Sequence, residues 1–91
     1  MMSYQISYHP DVQKDLADLP KNIKDRIQRA IEQRLMKDPV KYGNPLRKSL
    51  RGYRKLRVGD YRVIYKLEEK NIFVFKVGHR KEIYTKDLNR N

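Results

Sequence analysis

Two runs of alternating residues meet at Gly59-Asp60. Tyr53-Arg54-Lys55-Leu56-Arg57-Val58 comes before it and Tyr61-Arg62-Val63-Ile64-Tyr65 after it. Period-2 alternation marks a strand with one buried face. A two-residue loop that begins with Gly is one of the few that joins antiparallel strands without splaying them. This chain is therefore committed to a β-hairpin, with strands over about 53–58 and 61–68. A third run, about 71–79, follows closely enough to pair with it. Tyr4, Ile6 and Tyr8 alternate with Gln5, Ser7 and His9 and predict a first strand.

Between the first strand and the hairpin the period changes to that of a helix. Pro10 suits a first helical turn, with Asp11 and Asp15 early and Val12, Leu16 and Leu19 on one face. Pro20 ends that helix and begins the next. There Ile23, Ile27, Ile31 and Leu35 recur every fourth residue, while Lys24, Arg26, Arg29 and Arg34 lie on other faces. Asp38-Pro39 ends the second helix, and residues 39–52 read as an irregular connection. Residues 82–91 form either a short helix or a tail. The order β-α-α-β-β-β predicts an α+β fold: a mostly antiparallel four-stranded sheet, two N-terminal helices on one face and the other face open. No repeat or boundary interrupts residues 1–91, which form a single domain.

The charge is one-sided. The net value is +11 at pH 7. Residues 1–45 contribute +2 of it and residues 46–91 the other +9. An uneven excess of this kind is an electrostatic footprint for nucleic acid or for an acidic protein. There is no Cys, and His9 and His79 are the two histidines, so neither a disulfide nor a metal site is expected, and no cofactor. No apolar run approaches a membrane span, so a cytoplasmic location is the expectation.

Strand parity says where the cations point. If Tyr61, Val63, Tyr65 and Leu67 face the helices, and Leu56, Val58, Phe73, Phe75 and Val77 do the same, then Lys55, Arg57, Arg62, Lys76 and Arg80 share the open face. Five cations on one small face repel one another unless an anion is expected there. Arg54, His79 and Lys81 flank the set, and Tyr84 lies beyond its end. On its own, Tyr84 is as well suited to anchoring the C-terminal segment, and His79 to a hydrogen bond at a strand end. His9, before Pro10, reads as structural.

The hairpin at 53–65, the Leu-Arg-Gly at 50–52 before it and Val77-Gly78-His79-Arg80-Lys81-Glu82-Ile83-Tyr84 after it resemble the RelE group of the RelE/ParE toxin superfamily. The resemblance implies the toxin of a type II toxin–antitoxin system. RelE-like members are ribosome-dependent endoribonucleases that cut A-site mRNA by attack of the 2′-OH on the adjacent phosphate, leaving a 2′,3′-cyclic phosphate and a 5′-OH. It implies Lys55 as general base, Arg62 as phosphate stabiliser, Arg80 at the leaving group and Tyr84 as a stacking surface. Arg54, Arg57, Lys76, His79 and Lys81 would then contact RNA. Tyr53 stands where the family has a second lysine, and the Arg80-to-Tyr84 segment is two residues shorter than in the best-known member. The implied partners are an acidic RelB-like antitoxin, the ribosome with mRNA in its A site, and operator DNA reached through the antitoxin; no membrane is involved.

The residue chemistry is compatible with that role. Cleavage by RNA's own 2′-OH needs a base, an acid and charge stabilisation, and an amine in cationic company is helped to act as a base. His79 is the alternative proton carrier, although alternation aims it at the core. Two other functions share the fold or the charge: a ParE-like inhibitor of DNA gyrase, and a non-catalytic basic RNA-binding module.

Overall fold

The computed structural model describes residues 4–47 and 51–83. Tyr84, and the helix or tail expected up to residue 91, lie outside them. Five strands form one sheet: β1 (Gln5–Tyr8), β2 (Asn44–Pro45), β3 (Tyr53–Val58), β4 (Tyr61–Glu68) and β5 (Asn71–His79), in the order β1-β5-β4-β3-β2. The β3–β4 hairpin has the expected bounds. Gly59 adopts φ +60°, which its missing Cβ permits at little cost.

Two features of the sheet correct the expectation of four mostly antiparallel strands. First, β1 runs parallel to β5, its residues Gln5 to Tyr8 registering with Asn71 to Val74. Alternation along one strand carries no information about its neighbour's direction. Second, β2 adds a fifth strand at the β3 edge, Asn44 and Pro45 facing Lys55 and Arg54. Two residues are too few to show a period, and Pro45 is tolerated there because an edge strand need not donate every ladder bond.

The first helix, α1 (Val12–Ala17), starts after Asp11, whose N–H donates to Nδ1 of buried His9 at 3.0 Å. Pro20 precedes α2 (Lys21–Ala30), which continues as a π-helical turn over Ile31–Leu35. The Met36 N–H donates to the Ile31 carbonyl, five residues back, at 2.9 Å. That turn explains the strict four-residue stripe. At 3.6 residues per turn a spacing of four drifts by about 40° at each step, and a wider turn absorbs the drift. Ile27, Ile31 and Leu35 thereby all reach the core. A third helix, α3 (Pro39–Tyr42), occupies part of the expected irregular connection, capped by Asp38, whose side chain accepts from the Lys41 N–H at 3.0 Å.

The main core joins Val12, Ile27, Ile31 and Leu35 to Leu56, Val58, Val63, Tyr65, Ile72, Val74 and Val77. The expectation that the other sheet face is open does not hold along its whole length. A second cluster forms there from Ile64, Phe75 and Ile83, with Leu46, Tyr53 and Phe73 against it. Phe73 and Phe75 thus face away from the helices, contrary to the parity reading. The cause is a bulge. Tyr65 registers with Val74 and Ile64 with Lys76, so Phe75 is an extra residue in β5. Val74 and Val77 both reach the main core, and Phe75 and Lys76 both point the other way.

A tight contact binds α3 to the sheet. The Tyr65 hydroxyl donates to the Pro39 carbonyl at 2.5 Å, and Arg54 Nη2 donates to the carbonyls of Gly43 at 2.9 Å and Val40 at 3.0 Å. Burial pushes the Tyr65 phenol above its ordinary pKa of 10.0, against the opposing pull of Arg54. Above pH 10 the unfolded chain therefore releases a proton that the fold retains. The associated stability is complete below pH 10 and is lost as pH rises through the folded value. Urea midpoints of the wild type should fall through this range more steeply than those of Tyr65→Phe. Tyr8, raised by partial burial and by Glu32, is common to both chains. Parallel curves would show that Tyr65 carries no such linkage.

Candidate active site

The hairpin fixes the order of the cationic face. Lys55 registers with Ile64, and Ile64 with Lys76; Arg57 registers with Arg62, and Arg62 with Gly78. Registered residues share a face, so Lys55, Arg57, Arg62 and Lys76 project from the side opposite the helices. Arg57 directly opposite Arg62 is a like-charge cross-strand pair, which costs stability in the absence of an anion. Tyr53 and Lys66 register at the other end, with the Lys66 ammonium 5.9 Å from the Tyr53 ring centre. The face is therefore graded, with aromatics at one end and guanidiniums at the hairpin tip.

The tip gathers two arginines that lie far apart in sequence. Arg62 Nη1 donates to the Gly59 carbonyl at 2.9 Å and to the Tyr61 carbonyl at 2.8 Å. The Arg80 N–H donates to the Asp60 carbonyl at 2.8 Å, and its Nε lies 3.5 Å from Asp60 Oδ1. Both side chains of that ion pair are more than half exposed, so it is a weak contact that an incoming phosphate can replace. Asp60 was not among the residues singled out from sequence. Its signal was its place in the tight turn, a carboxylate among cations.

The remaining candidates separate. Lys76 is on the face but only 7% exposed. Arg54 is corrected: it registers with Tyr65, on the helix side, and its guanidinium holds α3. His79 lies on the side to which alternation aims it. It registers with Tyr61, which packs on the main core, its ring lies 5.4 Å from that of Tyr61, and its Nδ1 accepts from the Lys81 N–H at 3.1 Å. Alternation keeps His79 off the cationic face. Lys81 is exposed in the turn after β5. His9 packs edge-on against Phe75 at 5.6 Å, away from the hairpin tip. Among the described residues no group of three or more His, Asp or Glu is placed to hold a metal ion, and no helix is long and apolar enough to cross a membrane.

An amine, two guanidiniums joined at one turn and a third beside them form a surface for a phosphate. Guanidiniums match its oxygens in paired fashion and remain charged at any working pH.

The comparisons with known proteins agree with this architecture. A family model described as the ParE toxin of the type II toxin–antitoxin system parDE matches residues 6–84. Toxin RelG of Mycobacterium tuberculosis is 29% identical over 85 residues, which is 91% of this chain and 98% of that protein. The toxin–antitoxin complex RelBE2 of the same organism contains a chain that superposes with a TM-score of 0.81. That match has 27% identity and covers 87% of this chain and 100% of that one. An archaeal RelE–RelB complex from Pyrococcus horikoshii matches at 30% identity and a TM-score of 0.68, covering 89% and 99%. With the hairpin, the paired arginines and a family match over most of its length, the chain belongs to the RelE/ParE toxins of type II toxin–antitoxin systems.

Proposed function

We propose that this toxin is a ribosome-dependent mRNA endoribonuclease. The observation that carries the reading is the convergence of Arg62 and Arg80 on the Gly59–Asp60 turn, at the end of a face that also presents Lys55 and Arg57. An RNA strand laid on this face puts one phosphate against the two guanidiniums. Lys55 takes the proton of the neighbouring 2′-OH, whose oxygen attacks phosphorus. The bond from phosphorus to the 5′-oxygen breaks and that oxygen takes a proton from solvent, to which Lys55 later returns the one it took, leaving a 2′,3′-cyclic phosphate and a 5′-OH. Arg62 and Arg80 balance the charge that builds on the phosphorus oxygens, and Arg80 stands toward the leaving group. Tyr84, five residues after β5, stacks on an exposed base. A site with so few strong acids and bases gains from a ribosome that holds its RNA in line. An acidic RelB-like antitoxin, which also carries the pair to operator DNA, silences the toxin by covering the cationic face.

The test is translation in vitro with primer extension on the mRNA. New 5′ ends within translated codons, absent when translation is blocked before the ribosome binds, support the reading. The family model's own description, a ParE toxin, favours inhibition of DNA gyrase as the second reading. Intact mRNA together with trapped, cleaved DNA would establish that one instead.

A further inference from the structure

The hairpin tip has a second side. Facing away from Arg62 and Arg80, α2 and its π-helical turn bring Arg26, Arg29 and Arg34 beside Val58 and Gly59. Ala30 and Gln33 complete a recess of about 200 Å³. Positions 26, 29 and 33 lie three and four apart and share one helix face. The wider π turn lets Arg34 join them, its Nη1 donating to the Arg57 carbonyl at 3.3 Å. The Arg26 guanidinium lies over Gly59 so closely that a Cβ there would stand 3.0 Å from Nη2. No carboxylate lines the recess, and among the described residues Arg26 and Arg29 form no ion pair. Three guanidiniums thus gather at this recess with no carboxylate among the described residues that line it.

The ligand follows from this chemistry. Ligand pockets for drug-sized molecules run from about 300 Å³ upward, so this recess suits a smaller anionic group. Forked guanidinium donors suit phosphate oxygens. No aromatic side chain lines the recess, so it offers no stacking surface for an unpaired base; it reads backbone alone, as duplex RNA is read. The hairpin strands stand between this recess and the sheet face, so the phosphate held here belongs to a different segment from the strand on that face. We propose that the recess between α2 and the hairpin tip is a second phosphodiester site, gripping the backbone of a base-paired RNA segment. The choice of RNA rests on the nuclease reading above; the phosphate chemistry does not.

The experiment measures binding of the full chain to a fluorescent RNA duplex of about 16 base pairs, to a DNA duplex of the same sequence and to poly-glutamate, each over a salt series. Arg26→Gln/Arg29→Gln should lower the slope of log K against log salt for RNA by about 2, since each lost phosphate contact removes about 0.9. Both side chains are exposed, so circular dichroism should be unchanged. Arg62→Ala/Arg80→Ala should lose mRNA cleavage, and adding Arg26→Gln/Arg29→Gln to it should lower the duplex slope by the same further amount of about 2, which keeps a failure of this site distinct from a failure of the catalytic reading. An unchanged RNA slope in the Arg26/Arg29 variant, or a loss confined to DNA or to poly-glutamate, would overturn the proposal.

Discussion

Arg62→Ala and Arg80→Ala are each expected to lower mRNA cleavage in a translating extract by on the order of 10²–10³-fold, the usual cost of removing one preorganised donor from a developing anion. Both guanidiniums contact one turn, so in the proposed mechanism they act on one phosphate and the double variant should lose less than the product of the single effects. Arg62→Lys separates charge from geometry. It keeps the positive charge but not the planar guanidinium, which holds two main-chain carbonyls through Nη1 and has the fork that matches phosphate oxygens, so it should recover only part of the activity. Urea midpoints and circular dichroism establish that the fold survives. If both alanine variants cut mRNA at the wild-type rate, the site lies elsewhere. Cleavage lost on His79→Ala but retained on Lys55→Ala would move the base to the other side of the sheet.

The second large effect is one of stability. Gly43→Ala should destabilise the fold by roughly 2–6 kcal/mol. A Cβ at Gly43 would fall 1.6 Å from the Tyr65 hydroxyl oxygen and 2.6 Å from Cζ, in the volume that the hydroxyl occupies. Tyr65 is fully buried in a strand and cannot yield. The chain must instead move α3 away, which costs about 1–3 kcal/mol for overpacking and about 1–3 kcal/mol for the Tyr65 bond to the Pro39 carbonyl. Tyr65→Phe removes the hydroxyl and that bond without adding a Cβ, so the double variant should be less destabilised than the sum of the two. Chemical denaturation of all four chains measures the coupling. Additive effects would mean that the two residues do not meet in solution.

Much of the fold was legible because its signals are local. Alternation and a Gly-first loop define the hairpin with the bounds it has, since pairing and turn are set by the residues from Tyr53 to Glu68 that form them. Pro20 and the Ile23–Leu35 stripe likewise define α2. The direction of β1 was not legible, because its partner lies 66 residues away and parallel and antiparallel strands alternate alike. Phe73 and Phe75 were put on the wrong side because parity counts every residue, and a single bulge resets the count.

The site divides in the same way. Lys55, Arg57 and Arg62 were readable as one set because they sit in two strands joined by two residues, where chemistry alone fixes register. Sequence by itself determined this hairpin, its charge and its kinship. Only the tertiary structure decided which cations work together. It drew Arg54 under α3, buried Lys76, and tied Arg80 to Asp60, twenty residues earlier. The physical reason is that a guanidinium or an ammonium goes wherever the nearest carbonyl or carboxylate satisfies it, and those neighbours are supplied by packing between elements rather than by spacing along the chain.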